Sequence, residues 1–419
     1  MSSRIRSRMH VQRQNGAALM LIIVSLAALL VVLGLAFDGG HLMLNKSRLQ
    51  ATVDAAALAA AKTYDDTNNT SLATAAALQA FGLNARSAGN FELGTRYDAG
   101  SIQVTVEYSS TLPPFTPNVS GPYVRVVARG FSFPAWLVQL AGIDSLSVSA
   151  SAVAGPSPSA NTACNIAPVM VCGDPKAGSN GLWGYQLNAP QVLKSSSAGS
   201  SDLGPGNFQL LRLNGSGANV IRQQLAGSYQ ACIMHGETVD TQPGNLTGPV
   251  AQGVNTRFGE YSGSMSPTDY PPDVLTTGQT PSLTVDKQGG IWSGHTKITA
   301  QNIDQRLYSY SRYRADQANP SSYNNPPISS GGTGVFDRRV LAVPVGNCGA
   351  EKGGATSVPV LGLACYFLLQ PVTQNGSDAY MIGQFIQNCD VSGEPGPAPD
   401  DGPGPYIIQL YHDPGSGDS

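Results

Sequence analysis

The stretch GAALMLIIVSLAALLVVLGLAFDGGHLMLNKSRLQATVDAAALAAAK, running from Gly16 to Lys62, decides how this chain is built. Its first part, Ala17 to Phe37, carries no charged residue, and about 20 apolar residues suffice to take a helix across a bilayer. Its second part, Asp38 to Lys62, turns polar on some faces, has no proline, and keeps its glycines, Gly39 and Gly40, at its start. The pattern predicts one long helix, half membrane span (16–37) and half stalk (38–62). A glycine in a helix interior costs about 1 kcal/mol, so the Gly39–Gly40 pair is where a kink at the membrane surface is expected.

Flanking charge sets an expected orientation. Residues 1–15 form a basic arm with Arg4, Arg6, Arg8 and Arg13 and no acidic residue. Basic residues beside a span tend to stay cytoplasmic. The N-terminus is therefore expected on the cytoplasmic side, with a single pass through the cytoplasmic membrane and the bulk of the chain outside it. A cleaved signal peptide has an apolar core of roughly 7–15 residues and a small-x-small site. This run is longer and continues into Leu42, Met43, Leu44, Lys46, Arg48 and Leu49, so a retained anchor is expected.

On the stalk, Leu42, Leu49, Val53 and Ala56 or Ala57 fall near helical spacing, and alanine dominates positions 55–61. Small side chains admit a close neighbour. Two readings stay open: the face covers the chain's own sheet, or it packs against neighbouring subunits. Asp38, Arg48 and Asp54 are the candidate partner contacts. The plainer reading makes Asp38 an interfacial stop and lets Asp54 reach Gln50 and Leu58, four residues away on its own helix. Arg48 is left to pair elsewhere.

Outward from the stalk, 65–70 is a loop, and Thr70 or Ser71 suits the cap of a helix over 72–83. Residues 101–108 alternate apolar and polar, as a half-buried strand does. A second strand is expected at 123–128, and a short helix at 134–141 with Pro134 in its first turn. Leu146, Val148, Ala150 and Ala152 mark a third strand. Residues 63–154 thus read as a small α+β region, 155–163 as a linker, 164–412 as a mainly β, cysteine-containing domain, and 413–419 as a disordered tail. In the β domain, strands are expected at 207–213, 339–345, 358–370 and 406–411, helices at 221–230 and 303–315, and a loop at 391–405. The predicted fold class is α+β: a transmembrane helix extended into a stalk on a small antiparallel sheet, followed by a disulfide-containing β domain.

Composition limits the chemistry. The 419 residues allow two folded units. Only 12% are charged, while 48 glycines and 29 prolines favour turns and short strands. A net charge of −3 argues against a general nucleic-acid binder, which needs a basic surface. The six cysteines, Cys164, Cys172, Cys232, Cys348, Cys365 and Cys389, all lie beyond the span. An even number in an exported region reads as disulfides; about 15 pairings are open.

No Gly-x-Ser-x-Gly elbow is present, and His235, His295 and His412 have no motif around them. Cys232 and His235 are two metal ligands where a structural zinc site needs about four. The run from Gly331 to Gly334 lacks the phosphate-loop pattern. Between Arg306 and Arg314, tyrosine interleaves with arginine. That stretch reads as a hydrogen-bonding surface or partner interface, with contact to cell-wall polymer as a further reading. No cofactor, metal or catalytic residue is expected.

Asn15-Gly16-Ala17 opening the span, Leu35-Ala36-Phe37-Asp38-Gly39-Gly40 closing it, and Arg48-Leu49-Gln50 followed by Asp54-Ala55-Ala56-Ala57-Leu58-Ala59-Ala60-Ala61 together resemble the TadG-like (TadE/TadG) proteins of the Flp, or tight-adherence, pilus system. The resemblance is strongest over about the first 60 residues. Farther on, Thr241-Gln242-Pro243-Gly244-Asn245, Asn255-Thr256-Arg257-Phe258 and the run from Arg338 to Val345 are similar to distal regions of such proteins. The resemblance implies a membrane-anchored structural or assembly component that works through contacts with other Tad or Flp pilus proteins, self-association included. It brings no catalytic residues. Pilin-like relatives are trimmed after a glycine and carry glutamate at the fifth mature position; after Gly16 that position is Leu21, so an unprocessed anchor is expected. The metal motif of a von Willebrand A domain is not matched by Asp144-Ser145-Leu146-Ser147-Val148-Ser149. The alternative to an assembly role is a membrane-tethered hydrolase or polymer-binding module of the cell envelope.

Overall fold

The computed structural model describes residues 17–177, 182–195, 207–228, 232–349, 354–375, 378–395 and 404–413; the basic arm 1–15 and residues 414–419 lie outside them. Helix α1, Ala17–Thr67, is one element of 51 residues, about 76 Å long at 1.5 Å per residue. It passes through Gly39 and Gly40 without a break, so the pair does not interrupt the helix. Asp38 and His41, on either side of the pair, are both buried, which holds the glycines in the helical path. The helix also outruns Lys62 and stops at Asn68, whose φ of 50° lies in the left-handed region where helices commonly end.

Helix α2, Thr70–Ala85, begins at Asn69, whose side chain accepts hydrogen bonds from the Ser71 and Leu72 amides. The cap is thus one residue ahead of Thr70 and two ahead of Ser71. Asn ranks with the best N-caps, and a triple of capping residues hides which one serves. Helix α3 is Phe91–Asp98.

Strands β1, Gln103–Ser109, β2, Tyr123–Pro134, and β3, Ser145–Pro156, form an antiparallel sheet. The second strand is twice as long as expected because it absorbs a bulge. Its register shifts between Ala128 and Phe131, with Gly130 at φ 84°. Pairing then resumes at Phe131 and Phe133, opposite Val148 and Leu146. Pro134 closes this strand and does not open a helix; the helical turn is confined to Val138–Ala141.

Every third or fourth residue of α1 from Gly34 onward is buried: Gly34, Asp38, His41, Asn45, Leu49, Val53, then the pairs Ala56–Ala57 and Ala60–Ala61. From Leu49 onward these side chains share a core with Ala73, Ala77 and Phe81 of α2 and Val124, Val126, Ala128, Phe131 and Phe133 of β2. The alanine-rich run lets a helix backbone lie against a sheet and a second helix at once. Of the two readings of this face, the chain's own sheet and α2 take it.

Beyond β3, residues 155–163 are the end of that strand and most of β4, Ala160–Cys164. The distal region is built round the strand Ser357–Leu368, which pairs with Val340–Gly346 and Met381–Ile386. Cys365 and Phe367 face one apolar core, and Ala364, Tyr366 and Leu368 face the other. Burial on both faces explains why the sequence there is continuously apolar. The six cysteines form three disulfides, Cys164–Cys232, Cys172–Cys348 and Cys365–Cys389.

Other elements differ from expectation. The helix at 303–315 is two pieces, Ile303–Arg306 and Tyr310–Gln317, and that at 221–230 ends at Gln223 before a wider turn. Within 391–405 lie the short strands Ser392–Pro395 and Gly404–Tyr406. The strand Ile408–Tyr411 does not join the distal sheet. It pairs with β3, adding a fourth strand to the first sheet. Asp413, assigned by sequence to a disordered tail, is 2% exposed and accepts a hydrogen bond from Ser151 at 2.5 Å.

Candidate functional site

The first feature is the bare half of α1. Thirteen large apolar side chains from Leu19 to Phe37 are exposed, among them Met20 at 74% and Leu21 at 71%. Burying such a side chain is worth about 1.5–3 kcal/mol. A contiguous exposed apolar surface of this size marks a membrane or partner contact. Among the described residues it is the one helix long and apolar enough to cross a membrane, by length and composition.

Of the three candidate contact residues, Asp38 and Asp54 hold hydrogen bonds within the chain, and Arg48 acts on its surroundings through its charge. Asp38 is 2% exposed and its carboxylate accepts the backbone N–H groups of Trp136, Leu137 and Val138 at 2.7, 2.8 and 2.7 Å. A buried carboxylate needs hydrogen-bond partners; these three donors supply them and tie the β2–β3 connection to the helix. Arg48 is half-buried beside Gly89 and acts electrostatically on Glu92. Asp54 accepts from Gln50 at 2.8 Å, and Gln50 also donates to the Ser151 carbonyl. Burial raises the Asp54 carboxyl, against that hydrogen bond. The exposed positions of α1 beyond Asp38 are Gly40, Met43, Leu44, Ser47 and Ala51.

One turn above Asp38, His41 stacks on Trp136 with ring centroids 4.2 Å apart and meets Glu92 at 2.7 Å. Asn45 donates to the same Glu92 oxygen at 2.8 Å. Burial pulls the Glu92 carboxyl up, but the hydrogen bonds from Asn45 and His41 outweigh it and hold the group below the usual range. A belt of polar pairs therefore fixes α3 and the β2–β3 connection to the base of the stalk. Sequence reasoning missed Glu92 and Trp136; the polar positions 38, 41 and 45 at helical spacing were the available signal.

At the other end of α1 the distal region grips the helix. Lys62 Nζ lies 2.5 Å from Asp66 and 2.9 Å from Asp390. The Arg314 guanidinium donates to the Asp65 and Asp66 carbonyls and lies 4.0 Å from Asp337. Asn69 donates to the Ala318 carbonyl at 2.8 Å, and Tyr406 donates to the Asp65 carboxylate. Carboxylate oxygens of Asp65, Asp66 and Asp337 come within 4.8 Å of one another, a spacing that suits a cation. Lys62 and Arg314 supply the positive charge. Burial raises Asp65 to about 6, with Lys62 and Arg314 pulling it down.

The stretch from Arg306 to Arg314 is part of this joint and of the core. Tyr313 is fully buried, its hydroxyl donating to Asp273 at 2.8 Å, while Arg306 and Arg312 are exposed. The tyrosines expected on a polymer-facing surface thus point partly inward, because the helix Tyr310–Gln317 packs Tyr310 and Tyr313 on Phe367. Arg339, buried completely, lies 4.5 Å from the Phe258 and Phe367 ring centroids and is likewise structural.

His235, His295 and His412 are each exposed, and Cys232 is bonded to Cys164. A cleft of about 280 Å³ is bounded by Tyr185, Gln191, Ser195, Gln209, Asp286 and Lys287. Its carboxylate, Asp286, is engaged by the Trp292 indole and the Gly290 and Gln288 amides, which hold it below the usual range. Gly332 and Gly334 lie so close to the carbonyls of Pro326 and Asn325 that a Cβ would clash, so this glycine-rich run is a tight connection.

Residues 16–63 match the family model described as "Putative Flp pilus-assembly TadE/G-like". No curated protein and no solved structure matches the chain. The matched segment is the apolar half of α1 together with the stalk up to Thr63, where the resemblance was read. Over those residues, and on the evidence of that match, the chain is similar to TadE/G-like Flp pilus-assembly proteins.

Proposed function

We propose that this protein is a single-pass, inner-membrane-anchored assembly component of a Flp (Tad) pilus or its secretion machinery. Its N-terminus is cytoplasmic and its bulk periplasmic, and it acts by protein contacts without catalysis. The observation that carries the reading is the union, in one helix, of the TadE/G-like segment and an exposed apolar span. Three disulfides support an oxidising compartment for the distal region. With Asp38 and Asp54 hydrogen-bonded within the chain, the docking surface is the open face of the stalk, Met43, Leu44, Ser47 and Ala51, with the half-buried Arg48 beside it as a candidate contact. Its partners are other Tad or Flp proteins or a second copy of the chain.

The reading is tested in cells that make Flp pili. A photoreactive residue at Ser47 should crosslink to a Tad or Flp component or to another copy, and deletion should change pilus number, retention or surface adhesion. Deletion with all three unchanged sinks the proposal.

A further inference from the structure

The connection between β2 and β3 breaks the usual rule for a surface turn. Residues 135–143 read AWLVQLAGI, with no charge and Gln139 as the sole polar side chain. Turns between strands on a protein surface are normally polar. Here Trp136 is 55% and Ile143 47% exposed. The tip is held in a defined place: Asp38 binds the amides of Trp136, Leu137 and Val138. Gly34, one turn nearer the N-terminus, lies against Leu137, where a Cβ would sit 3.2 Å from the Leu137 Cβ. Gly34 falls inside the charge-free run that ends at Phe37. The tip therefore reaches down the helix past the outer end of the apolar run, by about one turn of 5.4 Å.

We propose that the β2–β3 tip is a second membrane contact, seating Trp136 and Ile143 in the outer interfacial layer of the bilayer that α1 crosses. The inference rests on the anchor reading and goes beyond it. Tryptophan favours the headgroup level, where its ring is apolar and its N–H meets water. The bilayer is the occupant because the tip is continuous with the surface of α1 that is itself exposed and apolar. Two contacts fix an orientation that one helix alone leaves free: the small sheet stands on the membrane with the end of β2 down and the 110–122 connection, at the opposite end of that strand, up.

The test uses the full chain in phospholipid vesicles with bromine at a shallow acyl position. Of the three tryptophans, Trp183 is buried in the distal core and Trp292 donates to Asp286. Shallow bromolipid should remove the emission of one tryptophan, and Trp136→Phe should abolish that quenching. Adding Val119→Trp to the Trp136→Phe chain should give a fluorophore that bromolipid leaves alone, since Val119 is exposed in the 110–122 connection. A chain that floats with the vesicles but shows no Trp136-dependent quenching overturns the tip proposal and leaves the anchor standing. A chain that does not float with them overturns both.

Discussion

Asp38 shows how one side chain fixes the placing of a whole segment. Its carboxylate does for three amides what an N-cap does for a helix, at a site next to an apolar run. Asp38→Leu is expected to free the tip at a cost of about 2–4 kcal/mol, from the loss of charge-assisted hydrogen bonds. Amide exchange at 136–138 should then rise while exchange in α2 stays slow. Asp65 makes a second residue-scale prediction. Its carboxyl, raised to about 6 from an unfolded value near 3.8, holds its proton longer in the folded chain. The joint therefore loses stability as pH rises from about 4 to about 6. Asp65→Asn should lessen that dependence by about 1–3 kcal/mol, measured as denaturation midpoints at pH 4 and pH 7; Asp66 and Asp273, also raised by burial, keep the remainder. The sequence made Asp38 visible as a residue at the end of a span but not as a cap, because its donors lie roughly 100 positions away. Arg314 was equally hidden: its partners are main-chain carbonyls of Asp65 and Asp66, which carry no sequence signal.

Elements were legible where the pattern is local. The apolar run, α2, and the alternation in β1 and β3 follow from period and composition alone. Boundaries failed where tertiary contact overrides local preference. Pro134 suits a helix start, yet the bulge at Gly130 lets β2 run on to it. The tyrosine–arginine stretch looks like a surface until the helix Tyr310–Gln317 turns Tyr313 into the core. For α1, the prediction is an asymmetry between two alanines. Ala57 is fully buried, and Ala57→Phe should cost about 1–3 kcal/mol or more by overpacking. Ala51 is exposed, and Ala51→Phe should leave the melting temperature nearly unchanged while disturbing the proposed docking face. Equal effects on stability would contradict the packing of α1 described above.

At the scale of the molecule, the disulfides close sequence separations of 68, 176 and 24 residues. Each constraint is worth about 3–5 kcal/mol in the chain-entropy picture. Thiol counting on denatured, unreduced protein should find none of the six cysteines reactive, and reduction should lower the denaturation midpoint. Even cysteine number and an export-like N-terminus made the disulfides readable; the pairing was not, since it depends on which strands meet. Least legible was the strand Ile408–Tyr411 beside β3, a pairing between regions that composition separates. It has a consequence in time. Leu410 takes its place opposite Ala154, and Asp413 then receives the Ser151 hydrogen bond, only after roughly 250 further residues have been made. At about 5–20 residues per second that is a wait of roughly 10–50 s. Until then the outer edge of β3 is an open template for any passing strand. The newborn protein is thus open to misassembly at the sheet beside its long first helix, and the last described residues to be synthesised end that interval.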